Sequence, residues 1–185
     1  MFRLDAQVRR LAALTGVMVV ATAEALAQEN APPPARRVVV SLADRKLAVL
    51  EAGRVVKVYD TAVGAPASPS PTGCYTITQR LVRPTWYTPG KIVPPGKANP
   101  LGTRWLGLSL KGYGIHGTNA PGSIGRNASH GCIRLRNRDV EELFDIVAVG
   151  DRVELYRERT PDLEAIFGQR PAESAPREAA SGIVQ

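Results

Sequence analysis

Three apolar, β-branched runs open the patterned part of the chain, at residues 38–42, 46–51 and 54–63. Ala43-Asp44-Arg45 and Ala52-Gly53 separate them with turn-forming residues, so the spacing predicts a meander of three antiparallel strands. Tyr75-Thr76-Ile77-Thr78 alternates and predicts a fourth strand, entered through Pro71-Thr72-Gly73. Residues 106–110 and Gly114-Ile115-His116 predict two more. Helical spacing is clear only over 139–147, where Val140, Leu143, Phe144 and Val147 share one face, with Asn137 or Asp139 as its expected cap. Gly150 ends that unit before a last strand at 152–156. Many short strands with one helix predict a mainly β fold, a sandwich or partial barrel. Residues 79–104, with Pro84, Pro89, Pro94, Pro95 and Pro100, interrupt the pattern. A structureless loop of that length inside a compact domain carries function.

The two ends read differently. Residues 1–27 resemble an export signal: Arg3, Arg9 and Arg10 precede an apolar run at 11–23, and Ala25-Leu26-Ala27 places small residues at a cleavage site. That run is too short to anchor in a bilayer. Membrane contact is therefore expected only through the signal before cleavage, and the protein is expected in the periplasm or cell envelope. Pro32-Pro33-Pro34 marks a linker at 28–36, leaving a folded domain at 37–156. Residues 157–185 form a polar tail expected to be mobile, with a short helix open to 163–167.

The chain of 185 residues carries a formal net charge of +7, which raises nucleic acid as a partner. The export signal and the 5% aromatic content argue against that reading. The charge is unevenly placed, because residues 61–138 hold ten Lys and Arg and no Asp or Glu. A site built there lacks paired carboxylates, which excludes that route of glycoside hydrolysis. It suits an anionic ligand and a thiolate.

Both histidines and both cysteines of the chain lie in that acid-free stretch. Gly114-Ile115-His116-Gly117-Thr118-Asn119 is followed by Ser129-His130-Gly131-Cys132-Ile133-Arg134. A cysteine nucleophile needs a base within reach and amide N–H groups aimed at the oxyanion, and Gly131 beside Cys132 lets the backbone approach the substrate. His116 is the expected base, oriented by a carbonyl or hydroxyl of Gly117 or Thr118, since no carboxylate is local. His130 as base, a zinc site from His116, His130 and Cys132, and a Cys74–Cys132 disulfide stay open. Cys74, in an apolar strand, reads as packing.

His116-Gly117-Thr118-Asn119 with Ser129-His130-Gly131-Cys132-Ile133-Arg134 resembles the signature of the L,D-transpeptidases. The likeness continues through Pro71-Thr72-Gly73, Asn99-Pro100-Leu101-Gly102 and Gly122-Ser123-Ile124-Gly125. It implies a mixed β-sandwich of short strands with one short helix after the catalytic cysteine, acting on the peptide stems of peptidoglycan without a cofactor or metal. It further implies Cys132 as nucleophile, His116 as proton donor and acceptor, and the N–H groups of Gly131 and Cys132 as oxyanion hole. Arg134, Ser129, His130, Thr118 and Asn119 would contact substrate, and residues 79–104 would form a lid over the stem. Donor and acceptor stems are the implied partners, with an envelope lipoprotein lysine or water as other acceptors. An L,D-carboxypeptidase, a zinc-dependent amidase and a non-catalytic wall-binding module are the rival readings. The acid-free stretch predicts a thiol held below its free value of about 8.5, with a His116 imidazolium as the largest cause.

Overall fold

A computed structural model describes residues 36–168. The export segment, nearly all of the linker and the tail beyond residue 168 lie outside the described residues. Strands β1 (Arg36–Ser41), β2 (Lys46–Glu51) and β3 (Arg54–Asp60) form the meander that the pattern predicts. Ala52 and Gly53, at φ 49° and 79°, make the β2–β3 connection with two left-handed residues, the turn whose twist matches the strands it joins.

The chain continues through β4 (Val63–Gly64), β5 (Gly73–Val82), the hairpin β6 (Trp86–Thr88) and β7 (Lys91–Val93), β8 (Arg104–Leu108) and β9 (Gly114–His116). After β10 (Asn127–Ser129) and β11 (Ile133–Arg134) come helix α1 (Asn137–Ile146), strand β12 (Arg152–Tyr156) and helix α2 (Pro161–Gly168). Eight strands make one sheet in the order β11-β9-β8-β5-β12-β1-β2-β3. β1 runs parallel to β12 and β9 parallel to β11, while the other neighbours are antiparallel. The fold is therefore mainly β and mixed.

Side-chain alternation explains the continuous apolar run of β1. Val38 and Val40 join Leu47, Val49, Ile77, Leu106, Ile115 and Ile133 around Val140 and Leu143 of α1. Val39 faces the other way, with Ala48, Leu50 and Val55 under Leu163 and Ile166 of α2. A strand covered on both faces needs no polar alternation. Helix α2 realises the short helix left open at 163–167 within the polar tail, because Leu163 and Ile166 find that second apolar face.

Two other expectations change. The stretch 79–104 is not structureless: Gln79 to Val82 extend β5 against β8, and β6 pairs with β7 as a hairpin. Neither Asn137 nor Asp139 caps α1. Arg136 occupies the cap position without a side-chain bond, and the Asn137 side chain serves another element. No helix of the described residues is long and apolar enough to cross a membrane.

Leu143 is fully buried between α1 and the sheet. Leu143→Ala is expected to cost about 2–5 kcal/mol of unfolding free energy, measured by urea denaturation. Val149→Ala, on an exposed side chain, should cost under about 0.5 kcal/mol. A similar loss in both would show that α1 is not part of the core.

Candidate active site

Parallel pairing of β9 with β11 assembles the site. Ile133 sits opposite Ile115 and Arg134 opposite His116, so the turn carrying Cys132 enters the sheet beside Gly114. The Gly114 backbone favours the ionised sulfur, and the thiol donates to the Gly112 carbonyl across 3.7 Å. A Cβ on Gly114 would lie 2.7 Å from the Trp105 ring, so glycine there lets the indole close over the strand.

His116 is buried at the end of β9. Its Nδ1 lies 2.6 Å from the Gly117 carbonyl oxygen. A carbonyl only accepts, so Nδ1 carries the proton and Nε2 presents a lone pair. Of the expected orienting groups, a carbonyl or hydroxyl of Gly117 or Thr118, the Gly117 carbonyl takes the role. Trp105, the cross-strand partner of His116, stacks on the imidazole with centroids 5.7 Å apart and planes at 25°, and its Nε1 donates to Gln79 Oε1.

The turn before β11 is tied by Ser129, whose Oγ accepts the Gly131 N–H at 3.0 Å and donates to the Cys132 carbonyl at 2.6 Å. Gly131 takes φ +110°, and a Cβ there would lie 2.7 Å from the Tyr113 ring. Two assignments shift in consequence. The Gly131 N–H, expected in the oxyanion hole, is already engaged, and the Ser129 hydroxyl, expected on substrate, holds the turn instead. Thr118 is also buried and turned inward, its Oγ1 accepting the Ala120 N–H. Asn119 donates to the Ala98 carbonyl and so ties the His116 loop to the long connection.

Two cavities meet at Cys132. One, of about 450 Å³, is lined by His116, His130, Arg134, Ser129, Thr88 and Pro100 among others. The other, of about 410 Å³, is lined by Trp86, Trp105, Tyr87, Leu81, Pro84 and Gln79 among others. Cys132, Gly112, Leu101 and Trp86 face both. Both mix polar and apolar lining; the first holds Arg134 and the two histidines, and the second holds Trp105 and Tyr87. Arg134, half-buried, contributes an Nε with no hydrogen-bond partner among the described residues.

Asn99, which the sequence offers only as part of a motif, is fully buried, and its Nδ2 donates to the carbonyls of Pro84, Val93 and Pro94, stitching the hairpin to the base of the loop. Two site residues escape motif reading. Trp86 and Trp105 are the two tryptophans of the chain and both face the site. That scarcity was the available signal.

The electrostatics reverse the expected thiolate. Burial pushes the Cys132 thiol up, and the Gly114 N–H and Arg134 only partly offset it. Burial pushes His116 down to about 4, with Arg134 lowering it further, against the opposing pull of the Gly117 and Leu101 backbone carbonyls. At neutral pH the pair is thiol and imidazole, not thiolate and imidazolium. The ten cations of the stretch do not overcome burial, partly because several act elsewhere. Arg80 and Arg104 sit over the Phe144 ring, and Arg136 and Arg138 pair with Asp139.

Both cysteines are free, and Cys74 is exposed, accepting from Arg152 Nε at 2.9 Å. The disulfide reading is thereby overturned, and so is the packing role given to Cys74. Among the described residues no three His, Cys, Asp or Glu side chains gather as metal ligands.

A family model described as the L,D-transpeptidase catalytic domain matches residues 35–155. A relative named Putative L,D-transpeptidase YkuD, from Bacillus licheniformis, is 44% identical over 119 residues, or 64% of this chain and 64% of that protein. The crystal structure of an L,D-transpeptidase from Mycobacterium tuberculosis matches with a TM-score of 0.59 at 23% identity, covering 67% of this chain and 58% of that one. The L,D-transpeptidase LdtMt1 in complex with imipenem matches with a TM-score of 0.56 at 23% identity, covering 66% and 59%. The two structural likenesses are likenesses of fold.

The buried neutral imidazole makes stability depend on pH. Its folded pKa of about 4 lies below the ordinary 6.5, so the unfolded chain takes up the proton first. The stability present above pH 6.5 is therefore lost as pH falls toward 4. Wild type is expected to lose more unfolding free energy between pH 7.5 and 4.5 than His116→Gln does. Equal losses, or an imidazole titrating near 6.5 by NMR, would contradict the buried neutral ring.

Proposed function

This chain belongs to the L,D-transpeptidase catalytic-domain family, and from that premise we propose that Cys132 performs acyl transfer on peptidoglycan stem peptides. The observation that carries the reading is the meeting of two cavities at one sulfur. A transferase must bring a donor and an acceptor to the same acyl carbon, and a hydrolase needs only one of them.

In the first half-reaction Cys132 Sγ attacks the carbonyl of the third stem residue while His116 Nε2 takes the thiol proton. A neutral thiol and a neutral base suit this order, because the proton leaves as the S–C bond forms. The Cys132 N–H stabilises the developing oxyanion. The C–N bond to the terminal D-alanine then breaks, and the imidazolium protonates the departing amine. In the second half-reaction an acceptor amine attacks the thioester, gives its proton to Nε2, and expels the thiol. A stem amine yields a 3→3 cross-link, a lipoprotein lysine yields an attached lipoprotein, and water yields a trimmed stem. Arg134 and His130 line the first cavity and suit the stem's carboxylates. The export segment at 1–27 would deliver this chemistry to the envelope, where its substrate lies.

The test is mass analysis of purified stem tetrapeptides incubated with the protein. Cross-linked dimers with release of D-alanine are expected, and Cys132→Ala should lose the activity by roughly three orders of magnitude or more. Release of D-alanine without dimers would make the protein a carboxypeptidase. Imipenem should leave one adduct, mapped to Cys132; an adduct on Cys74 would overturn the assignment.

A further inference from the structure

Asn137 stands at the first turn of α1, where sequence reads it as a cap, yet its Oδ1 accepts the Thr118 N–H at 3.0 Å. Thr118 N–H and Gly117 C=O belong to one peptide unit. That same Gly117 oxygen receives the proton of His116 Nδ1 at 2.6 Å. The order is therefore Asn137 amide oxygen, peptide 117–118, imidazole: two hydrogen bonds on opposite ends of a single polarisable plane. The fit is close, since a Cβ on Gly102 would lie 2.1 Å from Asn137 Oδ1 and one on Gly117 would lie 2.2 Å from it. Two glycines clear the slot that this side chain fills.

We propose that Asn137 is a positioning residue for the base, acting through the 117–118 peptide. By accepting the Thr118 N–H it polarises the Gly117 carbonyl, which then holds the Nδ1 proton more strongly and makes Nε2 a better proton acceptor. The inference rests on the reading of His116 as base. The helix that follows the nucleophile thus sets the base as well. Of the other titratable groups near the ring, Arg134 on β11 opposes its protonation, while Cys132 and His130 share its cavity.

The test compares Asn137→Leu, which removes the acceptor at similar size, with Asn137→Asp, which keeps it and adds charge. The readouts are the rate of Cys132 acylation by imipenem against pH and the NMR resonance of the His116 Nδ1 proton. In Asn137→Leu the maximal acylation rate should fall roughly fivefold, a hydrogen bond's worth, at unchanged half-saturating imipenem. Its Nδ1 resonance should move upfield. In Asn137→Asp the resonance should move downfield and the acid limb should shift to higher pH, with the rate retained. A purely structural tie would lower melting temperature in both variants and move neither resonance nor pH limb, and that result overturns the proposal. His116→Gln, run in parallel, separates the two levels. If it acylates like wild type, the base reading itself falls; if it is slow while Asn137→Leu matches wild type, only the role of Asn137 falls.

Discussion

The parallel pairing of β9 with β11 is the constraint on which the site depends. Two residues of register, Ile115 with Ile133 and His116 with Arg134, bring a strand end and a turn into one place although Cys132 and His116 lie on separate segments of the sequence. Parallel neighbours need a long crossover. Here that crossover runs through 117–132, carries the Pro121–Ser123 turn and β10, and returns by way of β10's pairing with β4. Buried Ile115 and Ile133 hold the register, because a slip of one residue would turn both out of the core. The chemistry is thus secured by an apolar pair next to it.

Burial then decides the charge state. A cationic stretch suggests an ion pair, but a charge taken out of water loses more than distant or committed guanidinium groups return. The sulfur and the imidazole both sit where their neutral forms are favoured. Trp105 over the ring adds to that exclusion of water, and the Gly117 carbonyl fixes which nitrogen is free. Under the proposed mechanism, preorganisation would replace preionisation as the means of activation. The acid-free composition matters more for what binds in the outer cavity than for the thiol.

The strand meander, the helix and the convergence of Cys132 and His116 on one cavity were legible because each rests on local period or on a compact motif. What was hidden depends on partners distant in sequence. Residues 79–82 lack clean alternation, and only the ladder with β8 makes them strand. Leu163 and Ile166 look like tail until the far face of β1 and β2 is seen to be apolar. Asn137 has the spacing of a cap, and nothing local says that its oxygen bonds a peptide in another loop. The thiol pKa failed for a related reason: composition counts charges but not their depth or their other commitments. Ser129 and Gly131 belong to the motif, yet the bond between them ties into the turn the hydroxyl expected on substrate and the N–H expected in the oxyanion hole.

The sheet order also bears on how the chain reaches this state. β12 lies between β5 and β1, so the half that carries the site and the half formed by the meander are joined edge to edge by the last strand made. β1 has β2 on one side from the start, but its parallel partner is more than a hundred residues away. A chain emerging amino end first can fold the hairpins of β1, β2 and β3 locally, on a fast timescale, while β5, β8 and β9 wait with an open edge. Closure of such a distant contact is slow, and the waiting edges are surfaces on which other chains can pair. An incomplete chain that stops before Arg152 would hold both halves without the strand that unites them. Cys132 and His116 would both be present, in a protein with no continuous core to align them.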